Sequence, residues 1–133
     1  MNMQTLKEKL YGLSPQIEAI LKESGYTNIT NLSAIPMDIC NPDERLLYTE
    51  FSSLLSHLDY VYTMLNYLQK PILYEGIICI NSEGNYEING IEVNPSDTLE
   101  ILVNDKDANT YRWRLTSMKY DSDLVGRRVR IRK

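Results

Sequence analysis

Residues 41–70 read NPDERLLYTEFSSLLSHLDYVYTMLNYLQK, and this stretch decides the fold. Its apolar side chains fall at Leu47, Phe51, Leu54, Leu58, Val61, Leu65 and Leu68, alternately four and three residues apart. That spacing is an unbroken heptad seam, the pattern of a helix packing lengthwise against another helix. Leu55 and Tyr62 lie beside the seam and widen it into a face for two neighbours. Asn41 is placed to cap the helix and Pro42 suits its first position. Glu44 stands three residues after the cap, as a capping box requires. Pro71 closes the helix, because its ring excludes the preceding residue from helical geometry. A helix over 42–70 is ~42 Å long at the standard rise per residue.

Two shorter helices are expected upstream. Met3–Tyr11 carries Leu6 and Leu10 one turn apart and stops at Gly12. Ser14 then reads as the cap of a second helix, with Pro15 at its first position and Ile17, Ile20 and Leu21 on its apolar face. Gly25 ends it in the left-handed conformation. Residues 26–40, rich in Asn, Thr, Ser and Pro, read as a connection with one turn around Ile29–Ile35. The short helices laid on the seam make a small three-helix bundle. The competing use of the same seam, residues 47–68, is a homodimer interface.

After Pro71 the hydrophobic period changes from 3.5 to 2. Short β-branched or aromatic runs occupy Tyr74–Ile80, Asn85–Ile88, Ile91–Val93, Thr98–Val103, Tyr111–Met118 and Arg127–Ile131. Turn residues separate them, at Ser82–Gly84, Asn89-Gly90, Asn94–Asp97 and Asn104–Asn109. Asn89-Gly90 is the firmest of these, since both residues tolerate the positive φ that a two-residue type I′ hairpin demands. Strands this short and this closely spaced predict a small antiparallel β-barrel or strongly curled sheet, closed to limit exposed edges. The expected class is therefore α+β: a helical bundle over 1–70 and a small β-barrel domain over 72–133.

The charge is unevenly distributed. The whole chain of 133 residues carries a net charge of −4. Residues 71–111 hold one basic and eight acidic groups, net −7, whereas 112–133 hold eight basic and two acidic groups, net +6. No apolar run approaches the ~20 residues of a membrane span, and the N-terminus lacks the apolar core of a signal peptide. The expected location is cytoplasmic. Cys40 and Cys79 lie in different halves without metal-ligand spacing and read as free thiols. His57 is the one histidine; no phosphate-cradling glycine loop and no nucleophile with a neighbouring base is visible. Asp105-Lys-Asp107 lacks the glycine and the distal glutamate of a calcium loop. No cofactor, metal or catalytic group is expected.

Candidate binding residues fall in two sets. Along the closing strand Arg128, Arg130 and Arg132 share one face and Val129 and Ile131 the other. Arg112 and Arg114 flank Trp113 in the same manner, and guanidinium forks pair with phosphate bidentately. The five arginines are thus a candidate contact for nucleic acid or guide RNA. The competing reading is internal, with Glu87, Glu92 and Glu100 on neighbouring strands pairing the same guanidiniums across the sheet. Those three acids are also a candidate surface in their own right, a mimic of a phosphate array for a basic groove on a nuclease. Trp113 is expected as the core plug of the barrel.

Residues 74–133 resemble a small domain-of-unknown-function family of Firmicutes bacteria, often encoded on plasmids, phages and conjugative elements. The residues that carry the resemblance are Gly76, Gly84-Asn85-Tyr86, Gly90, the Ile-Glu-Val and Leu-Glu-Ile runs, Trp113 and Gly126-Arg-Arg-Val129-Arg130. Asn85 replaces the arginine usual in that family, and Ser96-Asp97 stands where a glycine is common. The resemblance implies a β-module and a mobile-element setting, and some small proteins with such modules resemble inhibitors of bacterial defence, anti-CRISPR proteins among them. The leading expectation is a non-enzymatic inhibitor of a host defence nuclease, with a CRISPR effector or its guide RNA as partner. An accessory nucleic-acid-binding protein using Arg112, Arg114, Arg128 and Arg130 is the alternative.

Overall fold

The computed structural model describes residues 1–26, 32, 34–104, 110–118 and 123–133. Of the expected turn around Ile29–Ile35 only Leu32, Ala34 and Ile35 are described, with the Ile35 amide donating to the Leu32 carbonyl at 2.9 Å. Of the expected turn Asn104–Asn109, residues 105–109 lie outside the described residues. The chain divides into two compact units, Met1–Gln69 and Lys70–Lys133, the first helical and the second a sheet. The class is α+β.

In the helical unit α1 spans Met3–Tyr11, α2 Ser14–Ser24 and α3 Pro42–Gln69. Asn41 caps α3 with its side-chain oxygen, which accepts from the Asp43 and Glu44 amides at 3.0 and 3.3 Å. Glu44 does not close the expected capping box. Its carboxylate reaches outward instead, to the amide of Asp38 at 2.7 Å, and so fastens the incoming chain to the first turn. Ser14 is likewise not the cap of α2. It sits inside the first turn, buried, with its hydroxyl accepting from Gln69 Nε2 at 3.1 Å. At the far end Gly25 adopts φ 68°, as its terminator role requires.

Ser14 meets the end of α3 through Gln69. Beyond the C-terminus of α2, Leu32 donates its amide to Tyr48 Oη near the start of α3. The two helices are therefore antiparallel. The three-helix bundle is realised only as this pair. The nine-residue α1 buries none of its side chains, and Tyr11 Oη at its end donates to the Leu68 carbonyl of α3 at 3.2 Å. The heptad seam is covered only in part: Leu65 is buried and Leu58 half-buried, whereas Leu47, Phe51, Leu54, Val61 and Leu68 remain exposed; Leu55, beside the seam, is buried.

The second unit is one antiparallel sheet of β1 (Ile72–Ile80), β2 (Tyr86–Ile88), β3 (Ile91–Glu92), β4 (Thr98–Asn104), β5 (Tyr111–Ser117) and β6 (Arg128–Arg132). Its order is β3-β2-β1-β6-β4-β5, with β3 and β5 at the edges. The expected barrel is not closed. The long β1 gives its first part to β6 and its last three residues to β2. Beyond it the β2–β3 hairpin offers strands of three and two residues, too short a ladder to bring the sheet round to β5. The hairpin turn has the expected geometry, φ 51° at Asn89 and 80° at Gly90. Gly76 lies under it. A Cβ there would stand 2.8 Å from Asn89 Oδ1, so glycine leaves room for the Asn89 amide to donate to the Glu75 carbonyl at 3.0 Å.

Alternation sorts the sheet into two faces. Ile78, Ile88, Leu99, Ile101, Val129 and Ile131 share the first and form the core with Val93 and Leu124. Six of these eight are completely buried. Trp113 is not among them. It is half-buried on the edge strand, because its partner in register, Leu102, belongs to the second face. Among the described residues no helix is long and apolar enough to cross a membrane.

Candidate partner-binding face

The second face of the sheet is built by the residues between the core positions. Glu75 and Ile77 on β1, Glu87 on β2, Glu92 on β3, Glu100 and Leu102 on β4, Trp113 and Leu115 on β5, and the three arginines of β6 all lie on it. Its centre is an ion-pair network. Glu100 Oε1 accepts from Arg130 Nη2 and Oε2 from Arg132 Nε, both at 3.0 Å. The Glu100 side chain is 6% exposed and the two guanidiniums 17% and 19%. Burial pushes the Glu100 carboxyl up, but the hydrogen bonds and charges of Arg130 and Arg132 outweigh it and hold the group below the usual carboxylate range.

The Arg130 guanidinium also lies 4.2 Å from the centroid of the Trp113 ring, a cation–π stack that shields it from water on one side. Its Nε is buried with no hydrogen-bond partner. Arg132 donates in addition to the Lys70 carbonyl at 3.1 Å. Arg128, more open, pairs with Glu75 at 3.4 Å. The three β6 arginines are thus engaged by the protein itself, and the stripe is polar and aromatic rather than freely cationic.

Of the five arginines read together from the sequence, the fold brings three together and separates two. Arg112 stands opposite Val103 and Arg114 opposite Ile101, which puts both on the first face, at the β5 edge of the core. A stretch such as Tyr111-Arg-Trp-Arg-Leu115 does not state which of its two alternating sets faces the core. Pairing with β4 decides the phase, and a shift of one residue exchanges the faces.

Of the three glutamates, only Glu100 joins the arginines. Glu87 and Glu92 stand directly opposite one another in the β2–β3 ladder. Neither forms an ion pair with a described Lys or Arg. Like charges at directly paired positions destabilise a sheet, so this pair is a standing cost in the isolated protein. Glu92 is held in place by two amides, Asn81 Nδ2 at 2.9 Å and Asn85 Nδ2 at 3.3 Å. Asn81 is fixed in turn, its Oδ1 accepting from the Glu83 and Asn85 amides at 3.0 Å each. Sequence reasoning missed Asn81 and Asn85 as positioning residues; the signal was a pair of asparagines bracketing a glycine turn ahead of the acidic hairpin.

Beside this pair Cys79 lies opposite Glu87, with Sγ 3.7 Å from both the Glu87 carbonyl and its carboxylate. Desolvation and then the negative charge of Glu87 push the thiol up, so it is a poor nucleophile. Glu92 also forms part of the wall of an open cleft of about 890 Å³, between the 84–86 turn, the 92–96 turn and Met118. His57 sits elsewhere, exposed on α3, with Nδ1 2.9 Å from the Ser53 carbonyl. Among the described residues no three His, Cys, Asp or Glu side chains are grouped to hold a metal. Compared with known proteins, the chain matches no family model, no curated protein and no solved structure.

Proposed function

We propose that the protein is a non-enzymatic inhibitor of a host defence nuclease of the CRISPR effector kind. It acts by setting the acidic end of its sheet in the basic groove that takes guide RNA or target nucleic acid. The observation that carries this reading is the Glu87–Glu92 pair: two like charges in direct register, one of them preorganised by Asn81 and Asn85, with no ion pair to a Lys or Arg among the described residues. A basic groove supplies the missing charge, turning an intramolecular repulsion into a contact between molecules. The resemblance of residues 74–133 to a mobile-element family points the same way. Engagement of Arg130 and Arg132 by Glu100 weighs against the basic stripe as the working surface.

The test has two arms. Target-DNA cleavage by purified CRISPR effector nucleases is measured against increasing protein, and inhibition near stoichiometric amounts is expected. Glu87→Gln combined with Glu92→Gln, which removes the like-charge pair and keeps an acceptor for Asn81 and Asn85, raises the amount needed at least tenfold while thermal stability holds or rises. Fluorescence anisotropy with labelled DNA and structured RNA, at about 50 to 200 mM salt, is expected to show no binding by the protein alone. Equal inhibition by the double variant overturns the reading. Tight nucleic-acid binding that collapses with salt replaces it with the arginine-based alternative.

A further inference from the structure

Two apolar stripes run side by side along α3. The first, through Tyr48, Leu55 and Tyr62, is buried or half-buried, and Leu32 is fastened to it by Tyr48 Oη. The second is the heptad seam itself. In its N-terminal half Leu47, Phe51 and Leu54 are 48%, 49% and 56% exposed, and Leu46 beside them is more open still. A stripe repeating every 3.5 residues is shaped for another helix, and within the helical unit α2 is occupied elsewhere.

We infer that this stripe is a homodimer interface in which α3 pairs antiparallel with α3 of a second copy, about a two-fold axis passing between Ser52 and Ser53. Three features agree on that occupant, and the charge pattern among them fixes the register. The first is the layering. With the axis there, Phe51 faces Leu54 of the other copy and Leu47 faces Leu58, and each layer joins one position of each heptad type, as an antiparallel coiled coil requires. The second is charge. Glu50 and His57 flank the seam on the same side, and this register sets Glu50 beside His57 of the other copy twice over. A parallel pair would instead gather Asp43, Glu44 and Glu50 of both copies at one end. The third is shape. Leu47, Tyr48 and Phe51, with Ile35 and Met37, border a cleft of about 200 Å³ at the start of α3. The same register brings Val61 of the other copy level with Glu44, at the mouth of that cleft.

Leu46, Leu47, Phe51 and Leu54, with the exposed Val61, offer roughly 100 Å² each, so the patch supplies about 500 Å² per copy, at the lower bound for a specific interface. The dimer is therefore reversible, forming in the micromolar range. The inference does not rest on the proposed inhibition, whose acidic residues lie on the other unit.

Sedimentation equilibrium of the full chain from about 1 to 300 μM tests it. A monomer–dimer equilibrium is expected. Phe51→Glu should weaken it at least a hundredfold while far-ultraviolet ellipticity stays unchanged. Glu50→Lys should weaken it about tenfold, and Glu50→Lys combined with His57→Glu should restore it, a rescue that only the antiparallel register produces. A monomer throughout the range, or a dimer indifferent to Phe51→Glu, overturns the inference. A dimer that Phe51→Glu dissolves but the charge exchange fails to rescue overturns the antiparallel register.

Discussion

The two units solve the burial problem to different degrees. The sheet unit seals Ile78, Ile88, Leu99, Ile101, Leu124 and Val129 completely. Among the described apolar residues of the helical unit, of similar length, only Ile17, Leu32, Leu55, Leu65 and Tyr67 fall below a tenth exposed, and Leu47, Phe51 and Leu54 stay half open. The difference follows from geometry. An antiparallel sheet sends alternate residues of several strands to one face, so each strand covers its neighbours. A 28-residue helix paired with an 11-residue one has more apolar length than its partner spans. One unit closes its apolar face, and the other leaves part of its own open.

The sharpest test of that contrast is a pair of truncations. Ile101→Ala removes a wholly buried side chain and is expected to cost about 2–5 kcal/mol. Leu54→Ala, at protein concentrations too low for association, is expected to cost no more than ~0.5 kcal/mol, the ordinary range for an exposed site. Urea titrations resolve the two, because Trp113 is the one tryptophan and reports the sheet unit while far-ultraviolet ellipticity weights the helices. Equal losses at both sites would erase the distinction between the units.

Regions also differ in how legible they were in the sequence. Pro42, Gly25, Asn89-Gly90 and Pro71 are local devices, and every element they bound stands within a residue or two of its expected limits. Sheet closure was not legible. It depends on how far the Tyr86–Ile88 strand extends its ladder and on how β1 divides itself between two partners, and neither is written in any single run. The candidate site splits along the same line. Arg128, Arg130 and Arg132 share a face because they alternate within one strand, whereas Arg112 and Arg114 were misplaced because the phase of β5 belongs to its pairing with β4. Glu100 was nameable as an arginine partner, but its burial was not. The seam is legible as a repeat, but how much of it is covered within the chain is not: Leu65 is buried and Leu47, Phe51 and Leu54 stay half open, since apolar spacing records what a helix can bind and not what is at hand.

The next effect in size concerns the charged centre of the second face. Glu100→Gln keeps the shape and removes the charge shared by Arg130 and Arg132, with an expected cost of about 2 kcal/mol at pH 7, as for charge-assisted hydrogen bonds. The sign of its pH dependence is fixed by the lowered carboxyl. A folded-state value below the unfolded one stabilises the protein fully above the ordinary carboxylate range, about pH 4, and that stabilisation is lost as pH falls through the folded value. The native chain should therefore lose its advantage over the variant on acidification. Urea midpoints at pH 7 and pH 3 check this. A constant difference would mean that the network holds shape rather than charge, and the sheet unit would owe its stability to the apolar face alone.

The smallest expected effect lies at the start of the open helix. Asn41 Oδ1 serves the Asp43 and Glu44 amides, two of the four that an α-helix leaves without partners at its N-terminus. Asn41→Ala returns both to water at a cost of about 1 kcal/mol. The loss stays local, because Glu44 still holds the Asp38 amide and Tyr48 still holds Leu32. Its consequence for association should nonetheless exceed its consequence for folding. Leu46 and Leu47 stand within two turns of the cap, and fraying there removes the outer layer of the exposed stripe from each of two copies. Every lost contact in a two-fold interface is lost twice. Hydrogen exchange of the Arg45–Leu47 amides should therefore accelerate in the variant, while a dimer constant measured in parallel weakens by more than the fivefold that ~1 kcal/mol in one copy would give. Faster exchange with unchanged association would place the first turn of α3 outside the interface and move the two-fold axis toward its C-terminus.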